Sequence, residues 1–342
     1  MIGTEFVKGQ GLGNQLFVYV SARAIATGKG AEFGTAAQDL FAMNIHNDRG
    51  MYFMDIDLGK NITPDMKRGM NRYDEKEGRL YLPNSKHDLQ HGAYVAGADE
   101  GLKYIGDNTL IYGNLQDESY FNEYRTEMKQ WLKVKDEYDS YEYCRDNLCI
   151  INMRGGEYTG SRELYIGRKY YENAINEMKK IRSDMEFMII TDDTASANRL
   201  FPDMAAYHFD IAGDYVAIKN ARYLILSNSS FAVLPAFTSD ELKYALAPKY
   251  WARFNVSDGY WASEQNIYSV FHYMDRRGRI FTPEECRAEL AQYKLKNRKY
   301  TLVDVKPTGL KAAAYRSAVT VKNACYWTGR IFRSLKRRMR LP

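Results

Sequence analysis

Missing from the chain is any run of about eighteen apolar residues, the length a membrane-crossing helix needs, so a membrane-spanning protein is excluded as a class. Cysteine is scarce: Cys144, Cys149, Cys286 and Cys325 are the only four in 342 residues, and their spacing fits no zinc site. Nothing at the N-terminus resembles a secretory leader. The expectation is a reducing cytoplasm, with the sequons at Asn61, Asn228 and Asn255 read as chance matches. No period of roughly 20 to 50 residues repeats and low-complexity tracts are absent, which excludes solenoids and arrays. Acidic residues vanish from Val305 to Pro342, where ten Lys or Arg stand, so the formal charge of +5 belongs to this segment and the remainder is net acidic.

What is present begins with glycine. In KGQGLGNQLF, starting at Lys8, three glycines occupy five positions; a β-like run, TEFV, precedes them, and Leu16, Phe17, Val20 and Ala24 follow at helical spacing. Strand, glycine loop and helix in that order suit a ligand approaching the free amides of a helix start. Two familiar loops fail on spacing. Asn14 stands where a dinucleotide fingerprint needs its third Gly, and Gly13 is followed by Asn14 and Gln15 rather than by Lys and Ser or Thr. A glycine loop with two side-chain amides remains, suited to phosphates or sugar hydroxyls.

With 45% apolar and 27% charged residues the chain reads as an ordinary globular protein of about two domains. The first half is hard to parse. NRYDEKEGRLYLPN, from Asn71, reads as a polar loop or excursion. NTLIYGNLQDESYFNEYRTEMKQWLKV reads as strand, loop and a helix striped by Tyr120, Tyr124, Met128, Trp131 and Leu132.

The second half is clearer. Three apolar runs end in polar clusters: LCIINM in Arg154-Gly155-Gly156-Glu157, FMII in Thr191-Asp192-Asp193, and YLIL in Ser227-Asn228-Ser229-Ser230. Helical patterns separate them, one carrying Tyr170, Ala174, Ile175 and Met178, another Tyr215, Val216 and Ile218. Buried strands alternating with helices imply a parallel sheet whose carboxyl ends share one edge, where open α/β sheets bind ligands. Asp192 or Ser227 or Asn228 as helix caps, and Arg154 paired with Glu157, are the plain structural alternatives. An Arg at a strand end beside hydroxyls forms a fork-shaped seat for a diphosphate, and two adjacent acids can accept hydrogen bonds from a base or ribose. A nucleotide-sugar donor fits this set better than ATP, since no Walker lysine and no metal-binding D-x-D stands out.

These motifs together resemble the α-1,2-fucosyltransferase family, glycosyltransferase family 11. GQGLGNQLF matches its opening G-G-L-G-N-Q-L-F, and GNLQDESYF from Gly113 echoes G-Y-F-Q-S-x-x-Y-F. NMRGGEY, TDD and NSSFAVLPAF follow its H-V-R-R-G-D-Y, S-D-D and N-S-S-F-S-W-W-A-A-W, and APKYW ends at Trp251. Asn152 stands for the family's His, Gly155 for its second Arg, Glu157 for its Asp, and Val233-Leu234 for its Trp pair.

The resemblance implies a GT-B-like α/β fold of two facing Rossmann-like domains, with the active site between them. Residues 1–146 form the acceptor side, 147–300 the donor side, and 301–342 a basic helical tail. It further implies inverting transfer of L-fucose from GDP-fucose, without cofactor or metal, to a galactose-type hydroxyl of a surface glycan. Arg154 would hold the diphosphate, Ser229 and Ser230 its oxygens, and Asp192 or Asp193 would face guanine. Asn152 and Asn228 would lie beside the donor, with Gly11, Gly13, Asn14 and Gln15 reaching it from the other half. Glu157 is the nearest carboxylate for a base. A different nucleotide-sugar donor and a nucleotide- or glycan-binding protein without catalysis stay open as alternatives.

In the tail, Ile331, Phe332, Leu335 and Met339 alternate with Arg330, Arg333, Lys336, Arg337, Arg338 and Arg340. This suits an anionic membrane surface and a lipid-linked acceptor on the cytoplasmic face, or else a solvated basic tail. Nucleic acid is not an expected partner, because the 28 tyrosines are not interleaved with basic runs.

Overall fold

The computed structural model describes residues 1–43, 47–76, 78–81, 94–160, 164–251, 266–296 and 300–302, with isolated positions at 317, 321 and 328. Cys325, Asn255 and the alternating basic segment 330–340 lie outside them. The chain divides into two units, residues 1–77 with 96–293 and residues 78–95 with 294–342.

Among the described residues the first half contributes β1 (Ile2–Glu5), α1 (Leu12–Gly28), β2 (Phe33–Ala36), β3 (Lys60–Asn61), β4 (Asn71–Asp74), β5 (Gly78–Tyr81), β6 (Tyr94–Ala96), β7 (Thr109–Tyr112) and α2 (Arg125–Trp131). Five strands of the larger unit form one sheet in the order β3-β2-β1-β7-β4, every pair parallel. β1 lies at its centre, so its carboxyl end delivers the glycine loop and α1 to the ligand-binding edge.

The second half supplies β8 (Leu148–Met153), α3 (Arg168–Ile181), β9 (Glu186–Thr191), α4 (Thr194–Leu200), β10 (Ala206–Tyr207), α5 (Ile211–Lys219), β11 (Tyr223–Ile225), β12 (Tyr244–Pro248), β13 (His272–Met274) and β14 (Ile280–Phe281). Its sheet runs β10-β9-β8-β11-β12-β13-β14, parallel except for the last strand. All six residues of β8 are buried, as expected of a central strand covered on both faces. Tyr170, Tyr171, Ala174, Ile175 and Met178 of α3 pack onto one of those faces. Two Rossmann-like halves thus face each other in a GT-B-like arrangement.

The smaller unit holds a separate sheet ordered β15-β5-β6, in which β15 (Tyr300–Leu302) runs antiparallel to β5.

α1 is the wedge between the halves of the larger unit. The sequence pattern marks one apolar face, but the helix is buried almost all round, because both halves cover it. Phe17 stacks on Tyr268 at 5.9 Å and leans on Phe121 at 5.9 Å, while Tyr19 meets Phe33 at 5.7 Å. Polar braces flank the wedge. Tyr52 donates to Asp210 (2.7 Å), and Glu118 accepts from the Ser269 amide (2.7 Å) and pairs with Arg287 (3.1 Å).

Two readings of the first half need correction. Asn71–Asp74, read as loop, is β4, paired along β7 from Asn71↔Thr109 to Asp74↔Tyr112, and Gly78–Tyr81 is β5. β4 is a largely exposed edge strand, so backbone pairing defines it without any apolar signature. The helix read from Tyr120 begins only at Arg125; Tyr120 and Tyr124 close two successive 3₁₀ turns.

Candidate functional site

A cleft opens where the start of α1 meets the carboxyl edge of the second sheet; Gly11, Gly13, Asn14, Asn152, Arg154, Glu157, Asp192, Ser229 and Ser230 are among its lining residues. The register of the sheet assembles it. Met153 is level with Thr191, and Ile225 with Ile151, so the polar residues after β8, β9 and β11 emerge side by side.

Gly11 caps α1 in extended conformation with no side-chain hydrogen bond, so the start of the helix meets the cleft without a side-chain cap. Gly13 has a more specific job. A Cβ there would collide with the backbone of Ser230 and Phe231, so only glycine lets the two halves touch main chain to main chain at this point. Asn14 accepts from Gln116 (3.0 Å), which fixes its amide at the rim.

The arginine expected to hold a diphosphate is poised between two carboxylates. Arg154 pairs with Asp192 at 2.9 Å and with Glu157 at 3.2 Å, and its guanidinium lies 5.3 Å from the Tyr158 ring centre. Asp192 is held from both sides, since it also accepts from the Gly155 amide at 2.9 Å. Glu157, by contrast, is 67% exposed and free to swing away. A bound anion can therefore displace Glu157 and keep Asp192 as the clamp that aims the guanidinium.

Asp193 has a different assignment from its neighbour. It caps α4 by accepting from the Ser196 amide (2.9 Å), takes the Ser196 hydroxyl (2.5 Å), and receives the Gly156 amide (3.1 Å). These hydrogen bonds, the Ser196 hydroxyl first, hold its carboxyl below the usual range. The capping role thus falls to Asp193, not Asp192, and neither Ser227 nor Asn228 caps a helix: Ser229 precedes the next 3₁₀ turn without a side-chain cap.

Three expected donor contacts are not among the lining residues. Gln15 is fully buried and clasps the segment after β2, donating to the Leu40 carbonyl (3.1 Å) and accepting from the Ala42 amide (2.6 Å). Asn228 donates to the Leu164 carbonyl at 3.0 Å. Asp193 is the third. Asn152 does line the cleft, with its carbonyl oxygen taken by the Ser227 hydroxyl (3.0 Å).

The structure adds residues that motif reading missed. His208, just past β10, and Asp214, in the first turn of α5, both line the cleft. The His208 ring nitrogen Nδ1 lies 2.6 Å from Asp214, whose other oxygen accepts from the Phe209 amide (3.0 Å). Burial pushes the Asp214 carboxyl up to about 6 despite the opposing pull of His208. A His and an Asp six residues apart across a strand-to-helix turn carry no recognisable motif, so only the fold reveals the pair.

Among the described residues no cluster of three His, Cys, Asp or Glu gathers as a metal set. Asp55-Ile56-Asp57 has D-x-D spacing, but it is not among the cleft-lining residues, and Asp57 pairs with Arg23 at 3.4 Å.

No family model and no curated protein matches the chain. Among solved structures it is similar to fucosyltransferase NodZ from Bradyrhizobium, at 13% identity and a TM-score of 0.40, over 68% of this chain and 92% of that one. It is also similar to POFUT1 in complex with GDP, at 9% identity and a TM-score of 0.39, over 72% and 97% of the two chains. A glycosyl transferase family 9 protein from Veillonella parvula matches at 10% identity and a TM-score of 0.40, over 95% and 97%. At such scores the likeness carries no functional weight.

Proposed function

We propose that the chain is an inverting glycosyltransferase that moves L-fucose from GDP-fucose to a galactose-type hydroxyl of a glycan, needing neither cofactor nor metal. The observation that carries this reading is the meeting, in one cleft, of the uncapped start of α1 with Arg154, Ser229 and Ser230. Helix amides, a guanidinium and hydroxyls are the donors a diphosphate requires, and they converge from two halves.

In this mechanism the diphosphate exchanges for Glu157 on Arg154, which neutralises the charge growing on the leaving group as the sugar bond stretches. Released from its ion pair, Glu157 becomes available to take the proton of the attacking hydroxyl, a contribution of about a hundredfold or more. The basic tail would hold the enzyme at an anionic cytoplasmic membrane face, close to a lipid-linked acceptor.

Titration calorimetry with GDP against UDP tests the donor; binding of UDP in preference to GDP would overturn it. Arg154→Ala should lower glycosyl transfer by about a hundredfold to a thousandfold, as loss of one preorganised oxyanion donor does. A second reading, a nucleotide binder without turnover, is favoured by Gly155. A Cβ at that position would sit 2.6 Å from Cβ of Asp193, so this loop has no room for a second arginine. Tight GDP binding with no donor turnover would select it.

A further inference from the structure

We infer that a groove at the amino edge of the second sheet is a separate glycan site, which holds an uncharged stretch of sugar chain without reacting with it. The inference goes beyond the proposed function: binding there needs no donor, and only its benefit to turnover rests on that reading.

The groove is made by the starts of two strands and the end of a helix. Tyr223 opens β11 and Tyr244 opens β12, level with each other across the ladder, so both rings leave the sheet on the face that α3 covers. As the crossover between the parallel strands β8 and β9, α3 ends at this edge, where Glu177, Lys180 and Ile181 of its last turn form one wall. Lys243, just before β12, adds to the lining. The space is about 450 Å³, a size that suits a small-molecule site. Tyr223 is level with Cys149, five residues short of Arg154, which puts the groove about 17 Å along the sheet from the cleft.

Charge selects the class of ligand. Lys180 pairs with Glu177 at 2.5 Å and Lys243 with Asp146 at 2.6 Å, so each cation is already matched by an acid. A phosphate, a nucleic acid or an acidic peptide meets no surplus of positive charge here. What the groove offers is two half-buried tyrosine rings whose hydroxyls have no hydrogen-bond partner among the described residues. Ring faces suit the C–H side of a pyranose, while the phenols, the Lys180 ammonium and the Glu177 carboxylate supply donors and acceptors for its hydroxyls. An apolar face with donors and acceptors and no net charge is the chemistry that recognises a neutral sugar. His272 braces the platform, its ring centre 4.6 Å from that of Tyr244. A chain long enough to reach both sites would keep its reactive end near the cleft at raised effective concentration, which lowers KM and leaves kcat alone.

NMR of tyrosine-labelled protein tests the binding, with Tyr223→Phe and Tyr244→Phe assigning the two signals and a neutral galacto-oligosaccharide, lactose and inorganic pyrophosphate as probes. Both signals should shift with the oligosaccharide and not with pyrophosphate. Tyr223→Ala should weaken the oligosaccharide about tenfold, a value in keeping with one lost aromatic contact. Ile181→Arg fills the groove from a position that is 45% exposed and should do the same with the core intact. In turnover, either variant should raise KM for the oligosaccharide and leave kcat, and KM for lactose, unchanged. Absent shifts would overturn the assignment, as would shifts with pyrophosphate alone or unaltered oligosaccharide affinity in both variants. If fucose is transferred from GDP-fucose but both variants bind and use the long acceptor as wild type does, only this inference fails. If no transfer occurs and the shifts appear, the proposed function fails and the glycan site stands.

Discussion

Gly13 and Asp214 show how much a single residue decides here. At Gly13 a methyl group has nowhere to go, because the main chain of Ser230 and Phe231 occupies its place. Gly13→Ala should cost about 1–3 kcal/mol, typical of forced overpacking, and lower the urea midpoint with little change in its slope. At Asp214 the sign of the pH effect is the reverse of the usual carboxylate. Its folded-state value, raised from 3.8 to about 6, means the native protein holds a proton that the unfolded chain has released. The stabilisation is complete below about 4 and is lost as pH rises through about 6, so the stability difference between wild type and Asp214→Asn should shift across that window in urea titrations. The sequence makes Arg154 and the serines conspicuous because they follow apolar strands. It gives no sign that Gln15 turns inward to Leu40 and Ala42, since a buried amide and a ligand-binding amide look alike until their partners are placed.

At the scale of elements, legibility follows burial. β8 and β9 are read directly, because central parallel strands are continuous apolar runs. β4 escapes, because an exposed edge strand is defined by the hydrogen bonds it makes and not by its side chains. α1 is legible as a helix but not as a helix enclosed by two layers, since part of its covering comes from Phe121 and Tyr268, far away in sequence. Phe17 is fully buried at that junction, and Phe17→Ala should destabilise the protein by about 3–5 kcal/mol, measured by denaturant unfolding. Because both halves lean on this ring, their unfolding should remain a single transition only while it is present.

For the molecule as a whole, the concentration of positive charge after Val305 makes the proposed membrane attachment testable apart from the chemistry. Deleting Gly329–Pro342 should abolish sedimentation with anionic vesicles while turnover on a soluble acceptor persists; unchanged vesicle binding would end the tail's proposed role. Two junctions between the halves are also unlike in kind. Beside Ser230 and Phe231, main chain rests on main chain at Gly13, a junction with no side chain to swing aside. Along the other flank the halves are joined by Tyr52 and Arg49 reaching Asp210, groups on rotatable bonds. Under the proposed function, a donor's phosphates would rest against the junction that cannot yield, and the tyrosine's side is where the halves can part.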